Sequence, residues 1–353
     1  MESDTIVRLK SLPAQVIRTG DSVLLKRGCT EIRLDGPRDA DRLRILLEST
    51  QKGATEEEIL NNFPQEERQE AVNLVALLRA RNILMPLDSA PETPEELEDP
   101  RDIFYWHFEP HARTITSRLR SRRIVVLGVN SVSQRLSTGL ELSGFEDITM
   151  VEYPERLASR VGSRGIAADP TISSHRRPST PYESWIDKVD WQGVDCLIAT
   201  SDIGGRDLLR EWNELAIRHR CHFLPVVLQN VIGYVGPFVV PGETACYECL
   251  VARENSHLDD PRLRRAVERS AFEGQQVVAL HPLMATVLGD IAAFEVMKAY
   301  SEVSLLRHFS TLIEVNLLGS SMTTRKVLRI PRCIVCSNLH RQPSVSIHKD
   351  FLE

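Results

Sequence analysis

The spacing of apolar positions changes character within the first 87 residues. Ala14–Arg18 and Ser22–Arg27 are short β-like runs separated by Thr19-Gly20-Asp21, a hairpin signal. Thr30–Leu34 alternates apolar and polar residues, which predicts a third strand. After Gly36-Pro37 the period becomes helical, with Leu43, Ile45, Leu46 and Leu47 carrying a helix over Asp39–Glu48. Thr55 followed by Glu58 is a capping box that starts a second helix through Ile59 and Leu60. Glu66–Arg81 predicts a third, whose apolar stripe is Val72, Val75 and Leu78 with Leu74 and Leu77. Ile83-Leu84-Met85 closes the segment, and three strands followed by three helices is the order of a winged-helix-like module over residues 1–87.

Asp88–Asp99 is rich in Pro and Glu and nearly free of large apolar residues, so residues 88–102 are expected to be a linker. A second domain is expected over 103–353. It opens with a helix over Arg113–Arg120, then a strand at Arg123–Leu127, a helix from Val132 to Ser143 and a strand at Ile148–Glu152, which is a βαβ unit. Ala158–Thr180 is polar and unpatterned and is expected to be a long surface loop. The alternation resumes with Val194–Ala199, a helix over Asp207–His219 and a strand at Phe223–Leu228. Strands at Ile232–Gly236 and Phe238–Val240, a long helix over His281–Tyr300, and strands at Thr311–Asn316 and Thr324–Leu328 complete an α/β, Rossmann-like pattern.

Composition adds few constraints. Apolar residues make up 42% and charged residues 26% of 353, the balance of an ordinary globular chain. No apolar run approaches the ~20 residues that span a bilayer, and the acidic start Met1-Glu-Ser-Asp does not read as a secretory signal. A cytoplasmic protein is therefore expected, with no membrane partner. The net charge of -6 gives no pull toward nucleic acid, and the third helix carries Glu66, Glu67 and Glu70 beside Arg68, Arg79 and Arg81, which is not the basic stripe of a DNA reader.

Cysteine placement says more. Of seven cysteines, Cys29, Cys196 and Cys221 stand alone, while Cys246/Cys249 and Cys333/Cys336 form two CxxC pairs. Each pair delivers two thiolates from a tight knuckle, and two knuckles complete one tetrahedral four-sulfur site, so a structural zinc is expected at Cys246, Cys249, Cys333 and Cys336. Unrelated thiols or a redox pair are the competing readings. A nucleotide site is a weaker candidate. The strand Ile124–Leu127 runs into Gly128-Val129-Asn130-Ser131-Val132-Ser133, which keeps one glycine of the phosphate-binding pattern and puts side chains where phosphate needs bare backbone. Glu152 is placed either to bond a ribose or to end a strand in solvent. Asp202 and Arg206, after the strand Val194–Ile198, suit either a metal-bound phosphate or a helix cap and a surface cation.

Together these residues resemble the ThiF/MoeB superfamily, the fold of ubiquitin-activating enzymes. The likeness covers roughly Arg120 to Leu339 and is carried by Asp195–Arg206, Val226–Gly236, Gly242-Glu243-Thr244-Ala245-Cys246-Tyr247-Glu248-Cys249-Leu250 and Cys333-Ile334-Val335-Cys336. Pro241–Cys246 is most similar to ThiF-like members from gene clusters for thiazole/oxazole-modified peptides, which carry a winged-helix leader-recognition element at the N-terminus. Active adenylating members have a glycine-rich loop, an aspartate at the end of the second strand and an Asn-x-x-Arg-Gln run. Here Val129–Ser133 and Glu152 depart from the first two, and Glu155–Asp169 holds no match for the third.

The resemblance implies a protein without catalysis of its own that binds the leader of a ribosomally made precursor peptide and presents the core to a separate YcaO-type cyclodehydratase, since the chain ends at Glu353 without room for that ATPase. It implies a homodimer, zinc as the bound cofactor, and a degenerate nucleotide site at Gly128, Glu152, Asp202 and Arg206 that does not use ATP. The leader is expected to add as a strand along Thr30, Glu31, Ile32, Arg33 and Leu34 and to pack against Val72, Val75 and Arg79. Within the same resemblance, the alternative is an ATP-dependent adenylating enzyme acting on a peptide or carrier-protein carboxylate, with Asp202 and Arg206 handling ATP-Mg.

Overall fold

The computed structural model describes residues 7–20, 22–89, 99–108, 112–152, 178–202, 206, 208–260, 262–264, 266–267, 279–301 and 309–337. The chain divides into two compact units, Met1–Ser117 and Arg118–Glu353. Most of the expected linker and most of the expected loop at 158–180 lie outside the described residues.

In the first unit, β2 (Gln15–Thr19), β3 (Ser22–Arg27) and β4 (Thr30–Leu34) form an antiparallel meander. Leu25 is opposite both Val16 and Ile32. Alternation decides which face is inside: Val23, Leu25 and Ile32 are buried with Leu43 and Leu46 of α1 (Asp39–Thr50) and Ala71, Val75 and Leu78 of α3 (Arg68–Ala80). The capping box forms as the sequence predicts, with the Glu58 amide donating to Thr55 Oγ1 at 3.1 Å and the Thr55 amide to Glu58 Oε2 at 2.8 Å, opening α2 (Glu56–Leu60). A second small sheet has β1 (Arg8–Ser11) between β5 (Ala54–Thr55) and β6 (Leu84–Pro86). The apolar pattern does not reveal β1, because Leu9 is the one fully buried residue of its four. The helix α4 (Pro100–Phe108) also belongs to this unit, although the sequence pattern begins the next domain at 103. Ile103 packs at Gly28, where an added Cβ would meet its Cγ2 at 2.9 Å, and Asn82 Nδ2 donates to the Trp106 carbonyl at 3.4 Å.

The helix α5 (Ala112–Arg120) spans the division, and the second unit is built on one eight-stranded sheet. Its strands are β7 (Arg123–Leu127), β8 (Asp147–Glu152), β9 (Ser179–Pro181), β10 (Cys196–Ser201), β11 (His222–Gln229), β12 (Ile232–Val235), β13 (Thr311–Asn316) and β14 (Ser321–Lys326), in the order β14-β13-β12-β11-β10-β7-β8-β9. β11, β10, β7, β8 and β9 are parallel, and β12 to β14 continue antiparallel. The helices are α6 (Ser131–Ser143), α7 (Tyr182–Ile186), α8 (Leu208–His219), α9 (Tyr247–Asn255) and α10 (Pro282–Tyr300). The continuous apolar runs of β7 and β10 match their burial on both faces. α10 lies against α6 through two glycines: a Cβ at Gly139 would sit 2.7 Å from Ala293 Cβ, and one at Gly289 would sit 2.9 Å from the Val132 carbonyl.

Phe238–Val240, expected as a strand, forms only isolated bridges, Phe238 to Phe309 and Val239 to Phe223. Pro237 and Pro241 bracket it and cannot donate to a ladder. The last strand sits at Ser321–Lys326 rather than at Thr324–Leu328, because all six of its residues are exposed and leave no apolar alternation to set its register.

The topology fixes where a ligand crevice lies. β7 is central, the first crossover leads through α6 to β8 on one side, and β10 pairs with β7 on the other. The carboxyl ends of β7 and β10 therefore flank the switch point, where open α/β sheets bind ligands.

Candidate functional site

The two CxxC pairs come together as a single cluster. Cys246 Sγ is 3.8 Å from Cys249 Sγ and 3.6 Å from Cys333 Sγ, Cys249 Sγ is 3.6 Å from Cys336 Sγ, and all four sulfurs lie within 4.8 Å of one another. Four sulfurs at about 2.3 Å from a tetrahedral ion have edges of about 3.8 Å. The donor set therefore fits a metal ion without rearrangement. All four cysteines are buried. The neighbouring Cys249 and Cys336 thiols, together with burial, push the Cys246 thiol far above its ordinary range. The four sulfurs are placed to hold a metal ion, whose charge would favour their thiolate forms.

Local structure makes each knuckle. Thr244 Oγ1 accepts from the Val240 amide at 2.8 Å and closes the turn Val240–Thr244, in which Gly242 takes φ +88°. Cys246 then caps α9, and the Cys249 amide donates to the Cys246 carbonyl at 3.1 Å. In the second knuckle the Cys333 amide donates to Ile330 O and the Ser337 amide to Cys333 O, both at 3.1 Å. Arg329 joins the knuckles, donating to the Gly242 carbonyl at 2.9 Å and to the Cys336 carbonyl. The Ile330 amide donates to Cys249 Sγ at 3.4 Å, an outer-sphere bond of the kind that steadies a metal thiolate. Cys196 and Cys221 lie apart in the core, where burial pushes the Cys221 thiol up to about 12 and the Cys196 thiol higher. Cys29 is exposed in the first unit.

The residues between the metal ligands are engaged as well. Glu248 takes a two-pronged ion pair from Arg210 of α8, at 2.6 and 2.7 Å. The Tyr247 amide donates to Asn213 Oδ1 at 2.9 Å, and the Tyr247 hydroxyl to the Arg206 carbonyl at 3.2 Å.

At the switch point the amides that would cradle phosphate are taken by the chain itself. Asn130 caps α6, its Oδ1 accepting from the Val132 and Ser133 amides at 3.0 Å each, while the Asn130 amide donates to Ser133 Oγ at 2.9 Å. The Ser131 amide faces Asp202 Oδ2 at 3.5 Å. Asn130 Nδ2 crosses to the Thr200 carbonyl at 3.2 Å and to Thr200 Oγ1 at 2.9 Å, tying the ends of β7 and β10 together. Gly128 is required here: it takes φ +89°, and a Cβ would meet the Thr200 carbonyl at 2.7 Å.

Of the four nucleotide candidates, Gly128 and Asp202 thus meet at the crevice. Glu152 ends β8 exposed, accepting from Ser179 Oγ at 2.6 Å. Arg206 is buried and is not the surface cation that one sequence reading offered. Its Nη2 donates to Glu254 Oε1 at 2.9 Å, and its guanidinium lies 5.0 Å from the centre of the Tyr234 ring. Burial works against its charge, but Tyr247 and Glu254 hold its pKa above the ordinary arginine value.

In the first unit, Thr30 and Ile32 point into the core, Glu31 and Arg33 are exposed and Leu34 is half-buried. Glu31 pairs with Lys26 at 2.6 Å and Arg33 with Asp35 at 2.7 Å. In the three-stranded sheet of the described residues, β4 is an end strand and its ladder partner is β3. On α3, Val75 is 1% exposed and belongs to the core, whereas Val72 is half-buried and Arg79 is exposed, 3.9 Å from Glu56. Sequence reasoning missed Arg210, Asn213, Glu254 and Arg329. Each has a partner between 34 and 87 positions away, Glu248 for Arg210, Tyr247 for Asn213, Arg206 for Glu254 and Gly242 for Arg329, and no local pattern marks those pairings.

Comparison with protein-family models gives no match. Protein HesA of Leptolyngbya boryana is 24% identical over 268 residues, covering 70% of this chain and 87% of HesA. Among solved structures, E. coli MccB with MccA-N7isoASN superposes with a TM-score of 0.68 over 94% of this chain and 100% of MccB, at 15% identity. This chain shares the MccB fold. MccB, a microcin C7 biosynthetic enzyme, has also been solved with N-formylated MccA and with ATP. The heterocyclase TruD superposes with a TM-score of 0.61 at 18% identity, over 94% of this chain but 43% of TruD. Both likenesses extend beyond the sulfur-bearing unit into the first.

Proposed function

We propose that this protein recognises the leader of a ribosomally made precursor peptide and presents its core to a separate YcaO-type cyclodehydratase, which converts Cys, Ser or Thr to azolines. The observation that carries this reading is the extent of the shared fold: 94% of the chain superposes on a protein solved with MccA and on a heterocyclase. The first unit is read as the winged-helix-like recognition element. Its β4 is an end strand of the described three-stranded sheet, and the leader is read as adding alongside it, through backbone hydrogen bonds that make no sequence demand, while side-chain pockets choose the peptide. Val72 and Arg79 are the accessible members of the helix set, and Val75 supports them from the core.

The cluster is read as a structural zinc site. Four sulfurs fill a tetrahedral shell and leave no position for a reacting water, so zinc there holds the end of the second unit to its middle. The protein is further read as a cytoplasmic homodimer assembled through the second unit. No helix among the described residues is long and apolar enough to cross a membrane.

Adenylation is the second reading, favoured by the solved complex of MccB with ATP. Against it stand the occupied amides of Ser131, Val132 and Ser133 and the carboxylate of Asp202 beside them, which would repel a phosphate. Two assays separate the readings. Reconstitution with a cognate YcaO-type enzyme, precursor and ATP is expected to give azolines, read by mass spectrometry as one water lost per ring, only when this protein is added. ATP–pyrophosphate exchange by this protein with precursor is expected to stay at background. Robust exchange makes the protein an adenylating enzyme instead.

A further inference from the structure

We infer that the metal centre serves as a clamp on Arg206 and the first turns of α8, with Tyr247 and Glu248 as the positioning residues that transmit its hold. The inference rests on the metal reading of the sulfur cluster and not on the peptide reading.

Every residue of Cys246-Tyr247-Glu248-Cys249 has a defined task. The outer two face the metal position, and the inner two grip one stretch of chain at three points: the Arg206 carbonyl, the Arg210 guanidinium and the Asn213 side chain. These contacts are largely shielded on the Tyr247, Asn213 and Glu248 side, while the Arg210 side chain is 34% exposed. Tyr247 is 1%, Asn213 0% and Glu248 7% exposed, so loss of the Arg210 guanidinium leaves the Glu248 carboxylate as a buried unpaired charge. The second knuckle meets the same helix further along, where Ile334 and Val335 line a small pocket with Glu214, Ile217 and Arg218. α8 is thus held from both knuckles. Asp202, which faces the Ser131 amide at the switch point, lies just upstream of this stretch. Metal occupancy should therefore set the order of the first turns of α8, a role that a merely buried staple would not require.

The test uses the full chain with zinc bound, measuring zinc content and hydrogen exchange at the Trp212, Asn213 and Glu214 amides, whose helical acceptors lie in the first turn of α8. Glu248→Gln and the milder Tyr247→Phe are expected to keep one zinc per chain while those amides exchange at least tenfold faster. The double swap Arg210→Glu with Glu248→Arg is expected to restore slow exchange relative to either single change. Stoichiometric zinc removal from the wild-type chain is expected to accelerate the same amides more than those of β7. Wild-type exchange at α8 in zinc-loaded Glu248→Gln and Tyr247→Phe overturns the inference, as does zinc removal that leaves α8 unchanged. Absence of zinc from the wild-type protein overturns the metal reading beneath it and leaves the peptide reading standing.

Discussion

Asn130 shows how one side chain changes what a βαβ turn can do. A glycine at that place would leave the α6 amides free for an anion, whereas asparagine satisfies two of them with its own carbonyl and uses its amide to hold Thr200. Asn130→Ala should lower unfolding free energy by about 1 kcal/mol for the cap alone, and by more with the Thr200 bonds included. Gly128→Ala should cost about as much or more, since it forces a left-handed residue and a clash with backbone. Urea denaturation measures both, and no change for either would mean that the turn is not strained as described. His222 offers a pH test. Burial lowers its pKa from 6.5, so the unfolded chain binds the proton more readily. Stability should accordingly fall as pH drops below about 6.5, and His222→Gln should flatten that part of the profile. At this scale the sequence was informative where chemistry is local. It marked Asn130 and the four cysteines, but not Arg210 and Asn213, which matter only through partners brought near by folding.

At the scale of elements, the two knuckles act as one unit if a single ion joins them. Loss of one sulfur leaves three thiols that no longer close a tetrahedral shell, so Cys249→Ser and Cys333→Ser should each abolish stoichiometric zinc and lower stability by several kcal/mol. The double variant should be little worse than either single one, because both remove the same ion. Additive losses would indicate two independent thiol pairs. Element boundaries were legible where period and caps agree, as in α2, where Thr55 and Glu58 do what their spacing announces. They slipped where burial is one-sided or absent. β14 has six exposed residues and β1 one buried residue, so neither leaves a period to read. Val75 was a candidate contact because it shares a stripe with Val72. The stripe is wider than the accessible face, and the structure puts Val75 inside it.

For the whole molecule, the α/β sheet with its sulfur cluster followed from the order of apolar runs and the two CxxC pairs, whereas the chain divides at Ser117/Arg118 rather than at the expected boundaries of 87 and 103. In the proposed function the first unit recognises the peptide, and the second is a scaffold whose phosphate-cradling amides are taken by its own side chains. The most direct measurement is fluorescence polarisation of the labelled cognate leader titrated with the zinc-loaded full chain, without nucleotide, beside Val72→Glu. The account predicts saturable binding by the wild-type protein and at least tenfold weaker binding, about 1.4 kcal/mol, by the variant. A leader that fails to bind the wild-type chain, or that binds both proteins equally, would contradict it.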